Sequence, residues 1–386
     1  MKTSKCAQAI ELSLTRHLFN MAKEYDNVID LTLGDPDIPP SETIRKAACE
    51  AVMAGKTRYS ANAGLLSLRE VIADNFSKEY GIAVEPAKNV MVTVGGMEAL
   101  YLSLASILDD GDEVVIFAPF YVNYRQMVRM CGGVPVIVNT LEEEGYAIKE
   151  DAFRAAITEK TVAVIINTPC NPTGAVLGNE SLEAVARVAE EYDLTVISDE
   201  VYKNLIYDNK EHSSIINIDG MKKRTLVIDS LSKRFAMTGY RVGFAVGYEE
   251  IIANMTKLQE NIAACAPLPS QHAGIAAFLN CADDRFIVDE FEERRNFMFD
   301  AINSIDGLSC IRPAATFYLF VNIEKLGLDS KSFAYQLLEK EQVAVVPGIT
   351  YGDNYDNYFR IAYTMKIDVL EKAVERIRRF VEGLEK

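Results

Sequence analysis

Seven short runs of apolar, largely β-branched residues punctuate the middle of this chain: VMVTV (90–94), EVVIFA (113–118), VPVIVNT (134–140), TVAVIINT (161–168), LTVISD (194–199), TLVID (225–229) and RVGFAVG (241–247). They are too continuous for strands with one wet face, so they predict strands covered on both sides. Helical patterns separate most of them. In GMEALYLSLASIL, Leu100, Leu104, Ile107 and Leu108 repeat at helical spacing, and SLEAVARVAEEY is a second amphipathic helix. The alternation predicts an α/β fold built on a mostly parallel sheet. The last hundred residues differ, with long helical patterns (DDRFIVDEFEERRNFMFDAINSI, MKIDVLEKAVERIRRFVEGLEK) around short strands such as TFYLFVNI and YFRIAYT. They predict a smaller α+β domain, and the absence of a Ser/Gly-rich linker predicts a tight interface with the first.

Composition narrows the function classes. The 386 residues include 40 basic and 56 acidic side chains, a net charge of −16 that repels phosphate backbones and anionic lipid headgroups. Nucleic-acid and membrane roles are therefore not expected. Seven cysteines lie scattered without CxxC or zinc-like spacing, which suits reduced thiols in a cytoplasmic protein. No apolar run approaches the roughly 18 residues of a membrane span. The three histidines, His17, His212 and His272, lack metal-ligand spacing, so no metal site is expected.

In open α/β sheets ligands bind beyond the carboxyl ends of the strands, and several of those ends carry chemistry here. TVGGMEAL places Gly95 and Gly96 at a helix start, where bare amides can hold a phosphate; a tight turn alone would equally explain them. PCNPTG fixes Asn171 in a turn at the sheet rim. Asp199, Glu200 and Tyr202 end the run LTVISDEVY, and a carboxylate there needs a cation, a helix to cap or an internal ion pair. Ser230, Ser232, Lys233 and Arg241 gather two hydroxyls and two cations around one strand end. That set suits a phosphate and a reactive amine, because an apolar pocket and a neighbouring cation favour a neutral, nucleophilic lysine; a salt-bridged lysine is the alternative. Arg360, in YFRIAYT, offers a fork for a carboxylate. SxxK (230–233) lacks the KTG of serine β-lactamases, and Gly55-Lys56-Thr57 lacks the first glycine of a phosphate-binding loop, so Gly55 is read as a helix terminator.

The ordered series GDPD, RYSANAGLLSLRE, TVGGMEA, PFYVNY, NPTG, SDEVY, SLSKRFAMTGYRVG and YFRIAYT, from about Asp30 to the C-terminus, closely resembles the class I/II pyridoxal-phosphate-dependent aminotransferases of fold type I, in their bacterial aspartate aminotransferase-like branch. The resemblance implies a seven-stranded large domain at 41–279 and a small domain made of 1–40 and 280–386. It implies that Lys233 holds pyridoxal 5'-phosphate through a Schiff base and shuttles the substrate proton. It further implies that Asp199 pairs with the pyridine nitrogen, that Asn171 and Tyr202 bond the ring's phenolic oxygen, and that Tyr121 stacks on the ring. Gly95, Gly96, Ser230, Ser232 and Arg241 would form the phosphate cup, with Met97 the next residue of the cofactor-binding set. Arg360, with Asn171 and the Gly34 backbone, would bind the substrate α-carboxylate. Tyr59 would reach the phosphate of a neighbouring subunit, implying a homodimer.

The implied activity is ping-pong transfer of an amino group from an L-amino acid to a 2-oxo acid, with 2-oxoglutarate the expected acceptor. A carbon–sulfur β-lyase on the same fold is the alternative, and a ligand-sensing regulator is disfavoured by the few residues ahead of GDPD and the acidic balance. Two departures stand out. Met97 occupies a position where a lysine can bind the substrate's distal carboxylate, and Cys170 precedes NPTG where a polar or aromatic residue is commoner.

Overall fold

The computed structural model describes residues 2–4, 7, 8, 10, 14–282 and 284–384; Cys6 lies outside them. After a helix over Leu14–Ala22 comes a two-residue strand, β1 (Ile29–Asp30). The seven apolar runs then become β2 (Val90–Thr93), β3 (Glu113–Ala118), β4 (Val134–Asn139), β5 (Thr161–Asn167), β6 (Thr195–Asp199), β7 (Thr225–Ser230) and β8 (Gly243–Val246). They form one sheet in the order β2-β8-β7-β6-β5-β3-β4. Only β8 runs against its neighbours, β2 and β7.

Alternation of side chains explains why the runs are apolar throughout. In β7, Leu226 and Ile228 join Met91, Ile116 and Ile165 beneath the helices Gly95–Ala105 and Glu249–Ile262. Val227 points the other way and joins Val92, Phe244 and Val246 beneath Leu66–Tyr80 and Leu268–Asn280. Two expectations need correction. β4 is not covered on both faces: it has a neighbour on one edge only, Val134 is exposed, and Val138 alone is buried. The run from Arg241 does not start as a strand, because Arg241 adopts a left-handed conformation (φ 55°) and donates from Nη1 to the Thr238 carbonyl at 2.8 Å, so the ladder begins at Gly243.

The C-terminal part adds β9 (Tyr318–Asn322), β10 (Val343–Ala344), β11 (Val346–Pro347) and β12 (Tyr358–Ala362). β11, β12 and β9 form an antiparallel sheet, while β10 pairs in parallel with β1. Helices Phe286–Asn303, Ser330–Glu341 and Ile367–Leu384 bury Phe291, Met298, Phe333, Leu337, Ile377 and Phe380 against Leu319, Val321, Phe359 and Ile361. Leu18, Ala22 and Leu31 enter the same core, so the N-terminal segment and the last third share one apolar interior. Among the described residues no helix is long and apolar enough to cross a membrane.

Parallel pairing puts the carboxyl ends of β5, β6 and β7 side by side, with Asn167 opposite Asp199. The antiparallel return of β8 sets Gly243 opposite Ser230, so the 231–242 connection, which carries Lys233 and Arg241, lies over that same edge.

Candidate active site

A cavity of about 460 Å³ opens at this edge. One end collects donors. The helix Gly95–Ala105 starts straight after β2, with its free amides at the cavity, and the Glu98 carboxylate folds back to accept the Val94 N–H. Gly95 has φ 77°, and a Cβ there would collide with the Arg241 guanidinium, so glycine is what lets the arginine lie against the helix start. Ser230 Oγ and Ser232 Oγ lie 2.9 Å apart on the facing strand end. Amides at a positive helix end, two hydroxyls and a guanidinium form a donor set that fits a phosphate group.

Asp199 lies at the other end of the cavity, buried. Its Oδ2 accepts from the Tyr124 phenol at 2.5 Å and its Oδ1 from the Val201 amide at 3.3 Å. Among the described residues no cation pairs with it. Burial pushes its carboxyl up to about 6, against the lowering effect of those two donors. Asn167 steadies this end, donating to the Asp199 carbonyl at 3.0 Å and accepting the Asn171 amide at 2.9 Å. A buried carboxylate left without a cation fits the protonated nitrogen of a pyridine ring.

The adjacent Glu200 behaves oppositely. It turns behind the strand ends, where Tyr80 donates at 2.6 Å and His212 Nε2 lies 2.7 Å away. Burial alone would raise its carboxyl, but His212, Lys203 and the Ser214 hydroxyl outweigh it and hold it down at about 2. Lys203 in turn meets Glu79 at 3.0 Å and Asp229 at 3.2 Å. Of two neighbouring acids, one is satisfied internally and the other is kept for the cavity.

The Tyr124 hydroxyl suggests a direct test. Tyr124→Phe removes a donor to the Asp199 carboxylate, so the carboxyl titrates at higher pH than in the parent. Affinity for pyridoxal 5'-phosphate is expected to fall roughly tenfold near pH 6, with the acid limb displaced upward in an absorbance titration across pH. An acid limb at the parent's pH would show that the phenol does not support the carboxylate.

Lys233 follows Ser230 and Ser232 on the short helix Leu231–Arg234. Its Nζ donates to the Gly34 carbonyl at 2.6 Å. Burial lowers its pKa to about 8; Asp35 opposes the shift, while Arg360 and Arg241 add to it. The Tyr202 and Tyr318 hydroxyls share a hydrogen bond of 2.9 Å, and burial raises both phenols, so both stay neutral. A Cβ on Gly34 would occupy the space of the Tyr318 hydroxyl, which explains the bare backbone at that point.

Arg360, from β12, is buried. It donates from Nη1 to Asn171 Oδ1 at 3.0 Å and from Nη2 to the Thr32 carbonyl, and it stacks 4.2 Å from the centre of the Tyr318 ring. Among the described residues its Nε has no hydrogen-bond partner, leaving a donor in reserve. Tyr121 lies edge-on to Tyr124, with ring centres 5.5 Å apart. Its hydroxyl accepts from Asn123 Nδ2 at 3.0 Å and approaches the Met97 sulfur at 3.4 Å, and burial raises it to about 12. This wall is neutral.

The fold thus brings Gly34, Gly96, Met97, Tyr121, Asn171, Asp199, Tyr202, Ser230, Ser232, Lys233, Arg241 and Arg360 to one cavity, with Gly95 directly beneath Arg241. Tyr59 stands apart, 86 % exposed and outside the cavity lining. Sequence reasoning missed Tyr124, Tyr318, Asn123, Asn167 and Arg16, which also line it. Only PFYVNY held a usable signal, a polar and aromatic cluster just after a strand end. Cys170 instead borders a separate small cavity, its thiol 3.5 Å from the Pro119 carbonyl and raised to about 11 by burial.

The model of the family "Aminotransferase class I and II" matches residues 26–377. The aspartate aminotransferase of Pyrococcus abyssi is 39% identical over 98% of both chains, and the aromatic-amino-acid aminotransferase 2 of Thermococcus litoralis 37% identical over 99% of both. The solved aspartate aminotransferase of Thermus thermophilus with maleate superposes with a TM-score of 0.93 at 36% identity, covering 98% of this chain and all of that one. A match of this length, joined to the seven-stranded sheet, places the chain in the class I and II aminotransferases, enzymes that depend on pyridoxal 5'-phosphate.

Proposed function

We propose that Lys233, Asp199 and Arg360 carry a transamination from an L-amino acid to a 2-oxo acid, with 2-oxoglutarate as acceptor. The observation that supports this best is the buried Asp199 carboxylate, without a described cationic partner, in the same cavity as the Lys233 amine and the Arg360 guanidinium. When bound, pyridoxal 5'-phosphate supplies an aldehyde for the amino group and a ring that spreads the charge left at the substrate Cα. Gly95, Gly96, Met97, Ser230, Ser232 and Arg241 would hold the phosphate, and Asp199 would keep a proton on the ring nitrogen. Asn171 and Tyr202 would serve the ring's phenolic oxygen, and Tyr121 would supply an aromatic wall for the ring. Arg360, with Asn171 and the Gly34 backbone, grips the α-carboxylate and turns the Cα–H toward Lys233 Nζ, which in its neutral form takes that proton.

The division into a large domain at 41–279 and a small one at 1–40 and 280–386 suits closure over substrate, since the cavity takes lining from both parts. The exposed Tyr59 suits a homodimer in which it reaches the partner's phosphate site. Six free cysteines among the described residues suit a cytoplasmic location, and the net charge of −16 disfavours nucleic-acid partners.

The amino donor is the remaining question, since the two relatives are named for aspartate and for aromatic amino acids. The purified enzyme should be mixed, without acceptor, with aspartate, glutamate, phenylalanine and tyrosine while the cofactor's visible band is followed. Bleaching by a true donor and recovery on adding 2-oxoglutarate are expected. Release of pyruvate and ammonia from cystathionine without acceptor, with no bleaching by this panel, would establish the lyase instead.

A further inference from the structure

Among the described residues four cationic side chains line the cavity: Arg16, Lys233, Arg241 and Arg360. The proposed function employs the last three at the amine, the phosphate and the α-carboxylate. Arg16 has no task in that scheme. It belongs to the helix Leu14–Ala22, whose Leu18 and Ala22 are anchored in the C-terminal core, so the helix is docked. Arg16 and Phe19, three residues apart, share a flank, and the guanidinium lies 5.1 Å from the Phe19 ring centre. No carboxylate stands within ion-pair distance of it among the described residues, so no internal ion pair competes for its guanidinium. At the cavity its charge is thus open to an anionic ligand.

The opposite need is also present. A dicarboxylate held by Arg360 at its α-carboxylate has a second charge to place, and the wall of Met97, Tyr121 and Asn123 offers a thioether, a phenol and an amide but no cation. We infer that Arg16 binds the distal carboxylate of four- and five-carbon dicarboxylic substrates, supplying from the N-terminal helix the charge that Met97 cannot. This rests on the transaminase reading of the same cavity and names its acceptor class. The planar fork suits a carboxylate, and Phe19 supports the guanidinium's face while leaving its N–H edge available. Because Arg16 is exposed, a substrate with a neutral side chain leaves it in water without stranding a buried charge. The site therefore accepts dicarboxylates without excluding apolar substrates.

The test compares Arg16→Gln and Arg16→Lys with the parent holoenzyme. Binding of maleate, a dicarboxylate that cannot be transaminated, is read from inhibition and from calorimetry. In Arg16→Gln, maleate affinity and the ratio of kcat/KM for 2-oxoglutarate to that for phenylpyruvate are both expected to fall roughly ten- to hundredfold. Arg16→Lys should recover part of each loss. An unchanged maleate affinity, or an unchanged ratio, overturns the assignment of Arg16. A parent enzyme that transaminates phenylpyruvate but neither binds maleate nor uses 2-oxoglutarate also overturns it, while leaving the transaminase reading intact. A parent with no transamination of any pair overturns that reading itself.

Discussion

Lys233→Ala is expected to lose turnover by at least about 10⁴-fold and to lose the visible band of the bound cofactor, because one amine is assigned both the covalent hold on the cofactor and the transfer of the substrate proton. The free amine is prepared for the first task. Burial, with Arg360 and Arg241 nearby, brings its pKa down to about 8 despite Asp35. Only the neutral amine is nucleophilic, so uptake of pyridoxal 5'-phosphate by the apoprotein should quicken with rising pH and level off above about 8. Absorbance stopped-flow across pH measures this directly. An alanine variant with the parent's spectrum and rate would remove Lys233 from the reaction altogether.

Asp199→Ala should be the next most damaging change, lowering kcat by roughly 10²- to 10³-fold with the cofactor saturating. The carboxylate lies buried with a phenol and an amide as its donors, and burial lifts it to about 6. A cation arriving at that spot reverses the penalty: the carboxylate becomes the better-stabilised form, and the proton stays on the partner nitrogen, where it draws charge away from the substrate Cα. The alanine variant keeps the cavity and the donors proposed for the phosphate, so it should still bind cofactor, more weakly, while single-turnover rates collapse. Equal single-turnover rates in variant and parent would rule out an electrostatic role for this residue.

Much of this was legible in the chain. Continuous β-branched runs gave away the buried sheet, and the polar residues breaking those runs, Asn171, Asp199, Ser230 and Lys233, marked the ends where a ligand could sit. Those signals are local in sequence. The rest depends on contacts between distant segments: Tyr124 meets Asp199 across 75 residues, Tyr318 meets Tyr202 across 116, and Arg360 meets Thr32 across 328. An aromatic on an amphipathic helix reads as core until its partner is known. The separation of Asp199 from Glu200 was equally hidden, because adjacent carboxylates differ only through what the fold packs around each. The exposure of β4 escaped for a related reason, since strand order decides which apolar run becomes the edge.

Two cations of the cavity have backbone oxygens as partners. Lys233 is held by the Gly34 carbonyl and Arg360 by the Thr32 carbonyl, two backbone oxygens of one N-terminal stretch that Leu31 ties to Ala344. At these two groups an incoming ligand exchanges partners, so this part of its affinity is a balance between contacts given up and contacts made. Such a balance favours release as much as capture. For a catalyst that must discharge one oxo acid before admitting another, cations that can return to backbone partners keep each half of the cycle reversible.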